Sequence, residues 1–384
     1  MSLLPAGSLQ DAPAASDTDP QWAAAARQAM QQTDAKLHRR FDQDDDIERL
    51  IALRARAADH LIRLAWQRCL PEGCGLSLFA VGGYGRGELF PRSDIDVLVL
   101  GESDAQHAHE GGLARLFALL WDCGLPVSHA VRSIAQCQQA ATDQTVLTAL
   151  IEARPVAAAD AQRRPLAQAI NAPGLWPPRA FFLAKLEELR ARHERFGDTA
   201  DNLEPDLKDG PGGLRDLNTL GWMALRAFGV RDLEALVGLG HLGADEAVAL
   251  KRERALLARL RYGLHLVARR PEERLRFDYQ KTLAARLGFE DDVESLAVEK
   301  MMQGFYRAAT VIRRISERLL QRFEEQFDGS AVPEPLTVGF ALRRGFLAAE
   351  DAQWPGQDMG QVFALFASWA NNPPVRGLHS MTAR

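Results

Sequence analysis

Two aspartates that stand two residues apart, Asp94 and Asp96, are the side chains of this sequence best suited to chemistry. They open a predicted strand, the apolar run that ends at Leu100, and side chains alternate across a strand. Both carboxylates are therefore expected on one face, with Ile95 and Val97 on the other. Carboxylates paired in this way suit metal ions that carry a nucleoside triphosphate. The pair predicts a site for nucleotide transfer.

A glycine-rich turn, GGYGRG at residues 82–87, comes shortly before the pair. Gly82 and Gly83 let the backbone approach a ligand closely, and the free amides of a helix that starts here would face phosphates. Arg86 can add a forked contact to phosphate oxygens, and Ser93 a hydroxyl beside the metal pair. The turn matches neither the P-loop pattern nor GxGxxG. The alternative is a plain turn before a strand that holds two solvated aspartates.

Three segments carry a resemblance to a known family. The string GGYGRGELFPRSDID resembles the nucleotidyltransferases of the DNA polymerase beta superfamily, and more specifically the bifunctional uridylyltransferase/uridylyl-removing enzymes that modify the nitrogen-regulatory PII protein. LEPDLKDGPGGLRDLNTLGWMA, at residues 203–224, is similar to the second signature of that family. A weaker match is LHLVARRPEERLRFDYQKTLAARLGF, followed by VEKMMQGFYR. Together these segments cover most of residues 45–325.

The resemblance implies an enzyme that transfers UMP from UTP to a tyrosine hydroxyl of PII and releases pyrophosphate, in nitrogen and glutamine signalling. It implies that Asp94 and Asp96 are the catalytic residues and hold Mg²⁺. Lys208 and Arg215 flank the PGG break of the second signature and could face the triphosphate or the uridine. The alternative for this break is a helix-capping turn in which Arg215 and Asp216 form structural ion pairs.

The superfamily usually has a third carboxylate on a later strand, as general base or metal ligand. The strand candidate here, PVSHAVRS, holds His129 but no acid. The third group therefore stays open among His129, Asp122, Asp143 and Glu152. His129 could act as a base with a near-neutral pKa, although a lone histidine in a strand is more often a packing residue. The missing acid also leaves a catalytically silent nucleotide-binding regulatory module as an alternative.

Further alternatives differ in substrate. The glutamine synthetase adenylyltransferases share the glycine turn and the paired aspartates, and the motifs do not distinguish UTP from ATP as donor. A template-dependent polymerase is disfavoured by the net charge of −5 and by the lack of a basic and aromatic stripe. The sequence has no apolar run of membrane-spanning length and no signal peptide. We therefore expect a cytoplasmic enzyme with UTP and PII as partners, and neither nucleic acid nor membrane.

The elements that position these residues are expected to form an α+β fold, as the resemblance implies. Because 384 residues are too many for one core, two or three domains are expected. A disordered N-terminus (1–20) and a helical segment (21–70) precede a polymerase-beta-like nucleotidyltransferase domain, a small mixed sheet with helices (71–160). A helical bundle domain with the PGGLRD signature follows (161–330), and residues 331–384 are expected to be a linker and the start of the region that leads to a missing HD domain. The resemblance implies that the HD uridylyl-removing domain and the ACT glutamine-sensing domains of the family are missing from this chain.

Overall fold

The computed structural model describes residues 17–158, 160–172, 174–199, 202–329, 331–351, 354–356 and 359–384. The helices are, in chain order, α1 (Asp19–Asp42), α2 (Ile47–Cys69), α3 (Gly82–Gly85), α4 (Ser103–Ala108), α5 (Glu110–Asp122), α6 (Ile134–Ala140), α7 (Gln144–Ile151), α8 (Asp160–Ile170), α9 (Pro178–Glu194), α10 (Leu214–Phe228), α11 (Ala235–Gly238), α12 (Ala244–Ala268), α13 (Phe277–Arg286), α14 (Ala297–Asp328) and α15 (Met359–Ala370). The strands are β1 (Ser77–Ala80), β2 (Ile95–Leu100), β3 (Val127–Arg132), β4 (Arg154–Ala157), β5 (Glu334–Thr337), β6 (Phe340–Arg343), β7 (Phe346–Ala349) and β8 (Gly377–Leu378).

A four-stranded mixed sheet in the order β3-β2-β1-β4 carries the candidate site. β1 pairs antiparallel with both β2 and β4, whereas β2 and β3 are parallel. Helices precede this sheet and a largely helical region follows it, so the mixed α+β fold predicted from the sequence is confirmed.

Helices cover both faces of the sheet. One face packs on α1, α2 and α5 through buried side chains such as Leu61, Val97 and Leu116. The other face packs on α6, α7 and α9, and it also receives Trp222 from α10 of the region that follows. Because both faces are buried, β2 reads as an almost continuous apolar run after its aspartates.

The two N-terminal helices follow the spacing of apolar residues in the sequence. The acidic run between them ends α1, and the side chain of Asp46 accepts the amide of Arg49 to cap α2. Residues 1–16 of the predicted disordered N-terminus lie outside the described part of the chain. Within that predicted segment α1 already begins at Asp19, whose carboxylate pairs with Arg68 and Arg115.

The helical region from α9 to α14 has a core of its own. The long α14 buries a stripe of side chains at helical spacing, and α10, α12 and α13 pack against it. A separate cluster, which includes Phe41, Phe90 and Tyr262, joins α1 and α2 to α12. The four-stranded mixed sheet is therefore packed against helices that come both before and after it in the sequence.

The described residues after 330 contain four short strands and one helix. Strands β5 to β8 form a second sheet in sequence order, and β5, β6 and β7 are joined by two-residue turns. Phe340, Leu347 and Leu365 form a small core between this sheet and α15. Strands of four or fewer residues give little alternation in a sequence, which is why the pattern did not predict them. Of the helices that the structure describes, none combines the length and apolar composition that a bilayer crossing requires.

Candidate active site

The carboxylate pair lies where β2 begins. Asp94 directly precedes the strand and Asp96 is its second residue. Ile95 and Val97 are buried on the side of α5, so Asp96 faces the other side of the sheet, as the alternation predicts. Burial of Asp96 and the negative charge of Asp94 raise the pKa of Asp96, whereas the positive charge of Lys208 lowers it. The three charged groups therefore lie within one electrostatic neighbourhood.

The glycine turn, α3, begins with Gly82 and Gly83 and lies directly beside the pair. A Cβ atom placed on Gly82 would lie 3.3 Å from Oδ2 of Asp96. Gly85 has to be glycine for a steric reason, because a Cβ atom there would lie 2.4 Å from the backbone oxygen of Glu152. The first backbone amides of the turn have no preceding helical turn whose carbonyl oxygens could accept their hydrogen bonds. The predicted contact with phosphate requires such donors.

A buried carboxylate anchors the turn from below. Asp59, on α2, accepts a hydrogen bond of 2.5 Å from the hydroxyl of Tyr84 in the turn. It also accepts two bonds, of 2.7 and 3.0 Å, from the guanidinium of Arg154 on β4. Burial, with the charge of Asp59 beside it, raises the pKa of Tyr84 well above its usual value. Asp59 therefore ties α2, the glycine turn and β4 together.

Arg86 lies among carboxylates. Its guanidinium is 2.6 Å from Glu152 and 2.9 Å from Glu88. Burial by itself would lower the pKa of Arg86, but the two carboxylates raise it above the usual value. The indole nitrogen of Trp222 donates to Glu152 at 2.5 Å, and Arg254 donates to Glu88 at 2.6 Å. The structure thus uses Arg86 to hold the turn against α10 and α12, and its contact with phosphate stays a prediction.

The loop between Phe90 and Asp94 carries Ser93 to the first carboxylate. The amide of Ser93 donates to the backbone oxygen of Phe90 at 3.1 Å. The same oxygen accepts a bond of 2.8 Å from Arg54 of α2, and the guanidinium of Arg261 lies 4.0 Å from the centre of the Phe90 ring. This loop is therefore held by both the N-terminal helices and α12.

Lys208 lies in the segment before α10, and Arg215 is the second residue of that helix. Lys208 is close enough to Asp96 to lower its pKa. Arg215 is 3.1 Å from Asp209, and its guanidinium lies 5.8 Å from the centre of the Trp222 ring. Both residues were predicted as nucleotide-binding residues from the second signature. The structure adds that Lys208 is near Asp96, which the sequence alone could not establish.

Asp216 has a structural place in this segment. Its carboxylate is 2.5 Å from Arg192 and 2.9 Å from His193, and it accepts the amide of Gly212 at 2.8 Å. Only 1% of Asp216 is exposed, so this network is closed to a ligand. Asp216 therefore forms structural ion pairs, as the alternative interpretation of the PGG break predicted for this residue.

His129 lies on the wrong face of the sheet to serve as a base beside the pair. In the parallel pairing of β2 with β3, Asp96 is opposite Ser128, whereas His129 is opposite Val97. Paired residues place their side chains on the same face. The ring of His129 stacks on Phe117 of α5 with 3.6 Å between the ring centres. This contact explains the histidine as a packing residue.

The three acidic candidates for the third group lie elsewhere. Asp122 is an exposed residue at the end of α5, and Asp143 caps α7 by accepting the amide of Thr145. Glu152 is the buried partner of Arg86. Across the described residues, no three His, Cys, Asp or Glu side chains are grouped so that they could share one metal ion. The third carboxylate therefore has no assignment.

Glu273 borders the site and was not singled out in the sequence. One of its oxygens is 3.9 Å from Nζ of Lys208, and its backbone oxygen accepts the amide of Leu207 at 2.8 Å. Burial alone would raise the pKa of Glu273, but its interactions with neighbouring groups, foremost the hydrogen bonds from Arg261, together outweigh burial and lower the pKa to about 2. Glu273 lies in RRPEERL, within the weaker of the three segments that resemble the family. The resemblance of that segment implied no role for it.

A cavity of about 660 Å³ lies next to the glycine turn, between the sheet and the helical region. Its walls include Gly85, Arg86, Glu152, Trp222 and Arg254. Neither aspartate of the pair lines this cavity.

Comparison with known proteins agrees with this geometry. Residues 180–320 match the family model described as GlnD PII-uridylyltransferase, and residues 62–144 match a nucleotidyltransferase domain. A bifunctional uridylyltransferase/uridylyl-removing enzyme of Xanthomonas euvesicatoria pv. vesicatoria (strain 85-10) is 72% identical over 95% of this chain and 42% of the relative. Enzymes of the same name from Xanthomonas oryzae pv. oryzae (strain MAFF 311018) and Pseudomonas putida (strain W619) are 70% and 39% identical, over 98% and 94% of this chain and 44% and 41% of the relatives.

The chain thus spans about two fifths of the length of the curated relatives that it matches. The nucleotidyltransferase match includes the glycine turn and both aspartates, and the second match includes Lys208 and Arg215. The resemblance drawn from the motifs is confirmed: over 95% of its length the chain is similar to part of a bifunctional uridylyltransferase/uridylyl-removing enzyme, and it carries a nucleotidyltransferase domain.

Proposed function

We propose that this chain transfers a uridylyl group from UTP to a tyrosine hydroxyl of a PII protein and releases pyrophosphate. The observation that carries the proposal is that the positive charge of Lys208, from the second signature, acts on the carboxylate of Asp96, from the first. Two signatures that are far apart in the sequence thereby contribute to one charged site. The uridylyl donor is inferred from the names of the curated relatives, which are uridylyltransferases. We place the reaction in nitrogen regulation in the cytoplasm.

Asp94 and Asp96 fit a Mg²⁺ site. The pKa of Asp96 is raised by its burial and by the charge of Asp94, and a cation between two such carboxylates relieves that repulsion. In nucleotide sites Mg²⁺ is typically held by one or two carboxylates, with phosphates and water as the other ligands. When bound, the metal would neutralise charge on the triphosphate and on the attacking and leaving oxygens.

The chain's own groups would orient the triphosphate. The first amides of the glycine turn, at Gly82 and Gly83, point donors at phosphate oxygens, and Ser93 adds a hydroxyl. Lys208 and Arg215 supply positive charge on the side of the second signature. With the donor held, the tyrosine oxygen bonds to the α-phosphorus while the bond to the pyrophosphate oxygen breaks, and the hydroxyl proton is released. Positioning and charge neutralisation carry this step.

Intact-mass analysis of PII tests the proposal. PII is incubated with the chain, Mg²⁺, ATP and 2-oxoglutarate as activators, and UTP as donor, and a uridylyl-sized mass gain is expected. Asp94→Asn combined with Asp96→Asn should abolish the gain, because the carboxylates that hold the metal are lost. Asp104→Asn is the control, since Asp104 is an exposed residue of α4. A gain that survives the double substitution would contradict the assignment, and an adenylyl-sized gain with ATP would move it to adenylyl transfer.

One observation favours a second candidate, a catalytically silent nucleotide-binding module. Among the described residues no third acidic side chain accompanies Asp94 and Asp96. Equilibrium binding of UTP with Mg²⁺, measured by calorimetry beside the mass assay, separates the two candidates. Binding that depends on both aspartates, with no mass gain on PII from either donor, would support the silent module.

A further inference from the structure

The loop that leads to Asp94 is hydrogen-bonded to a buried histidine of α12. The amide of Arg92, two residues before Asp94, donates to Nδ1 of His265 at 3.3 Å. An amide can only donate, so Nδ1 is the unprotonated nitrogen and the neutral ring carries its proton on Nε2. His265 is 1% exposed, and burial lowers its pKa, which favours this neutral form.

The other side of the same ring faces the second half of the site. Nε2 of His265 lies 3.9 Å from an oxygen of Glu273, a distance longer than a hydrogen bond. The other carboxylate oxygen of Glu273 lies 3.9 Å from Nζ of Lys208. His265 therefore stands between the loop that carries Asp94 and the carboxylate that borders Lys208.

Two more residues of α12 contact the same loop. Arg254 donates to Glu88 at 2.6 Å, and Arg261 lies over the ring of Phe90 at 4.0 Å. Positions 254, 261 and 265 recur at helical spacing and so lie on one face of the helix. The ring of His265 also meets Phe90 edge-on, with 6.1 Å between the ring centres. One face of α12 thus braces the loop from Glu88 to Arg92.

We infer that His265 is a positioning residue for nucleotidyl transfer, which fixes the loop before Asp94 relative to Lys208. It touches neither substrate nor metal, and it acts through the Arg92 amide. A leucine at this position would fill the space but leave that amide without its acceptor. An asparagine side chain places its amide oxygen near the position of Nδ1, so it would keep the acceptor while it loses the ring. The catalytic part of the inference rests on the proposed function.

Hydrogen exchange measured by mass spectrometry tests the positioning directly, without activity. His265→Leu should make the amides of Phe90 and of residues 92–94 exchange about tenfold faster, while His265→Asn should keep them close to the unmutated rate. His241→Leu is the matched control, because His241 is a buried histidine that packs on Phe228, far along the chain from the loop. Unchanged exchange of Phe90 and residues 92–94 in His265→Leu, or equal acceleration by His241→Leu, would overturn the inference.

Steady-state kinetics of uridylyl transfer tests the consequence for the reaction. We expect kcat to fall about tenfold in His265→Leu with KM for PII unchanged, and to recover most of that loss in His265→Asn, because a misplaced Asp94 affects the transition state more than binding. Equal loss of kcat in the two variants would contradict positioning through the Arg92 amide. If the unmutated chain shows no transfer, the proposed function fails instead, and the exchange experiment still decides whether His265 holds the loop.

Discussion

Replacement of Gly212 by alanine will show how much the close contact between the PGG segment and α14 contributes to the stability of the fold. Gly212 has a φ of 75°, where a residue with a side chain loses about 1–2 kcal/mol. A Cβ atom there would also lie 2.3 Å from the backbone oxygen of Ala309. A helix backbone cannot move aside as a flexible side chain can, so overpacking adds about 1–3 kcal/mol. Gly212→Ala should therefore lower the free energy of unfolding by about 2–5 kcal/mol.

Gly229→Ala supplies the matched control. Gly229 ends α10 with a φ of 72°, but a Cβ atom there would meet nothing within 4 Å. Its substitution should cost only the backbone part, about 1–2 kcal/mol. Urea unfolding followed by circular dichroism compares the two variants with the unmutated chain. If the two losses agree within about 0.5 kcal/mol, the close contact with Ala309 contributes nothing, and the reasoning from the steric distance is refuted.

Two further predictions concern buried charge. Because the pKa of Glu273 in the folded chain is about 2, below its value in the unfolded chain, its stabilisation is present above about pH 4.5 and is lost as the pH falls towards 2. Glu273→Gln should therefore cost roughly 2–3 kcal/mol at neutral pH and much less near pH 3, and a loss that is the same at both pH values in urea titrations would exclude this explanation. Tyr84→Phe should lower the free energy of unfolding by about 1.5–3 kcal/mol, because it removes a buried hydrogen bond to the Asp59 carboxylate; thermal or urea unfolding with a loss below about 0.5 kcal/mol would count against that bond.

The sequence predicts the part of the site that consecutive residues determine. The glycine turn, the alternation around Asp96 and the apolar strand all depend on neighbours within a few positions, and the structure shows each of them. The mixed sheet and the helical region that follows are predictable for the same reason, since their periodicities are local. The family resemblance adds Lys208, whose approach to Asp96 no local pattern could indicate.

What the sequence could not provide is pairing between distant segments. Alternation alone does not say which face of β3 meets Asp96, and only the parallel register with β2 places His129 on the opposite side. The same holds for Arg86, whose motif suggests a phosphate ligand while Glu152, on a later element, pairs with it. Long, flexible charged side chains choose their partners after the backbone is placed, so their roles are the least predictable from spacing.

The hydrogen bonds of Asp59 bear on how this nucleotidyltransferase domain can be exchanged between proteins. The nucleotidyltransferase match covers residues 62–144, whereas Asp59 on α2 and Arg154 on β4 both lie outside those limits. A segment transferred with only residues 62–144 would contain Tyr84 but not Asp59, the acceptor of its hydrogen bond. The unit that evolution or an engineer could transplant is therefore larger than the matched segment, and it must include α2 and β4.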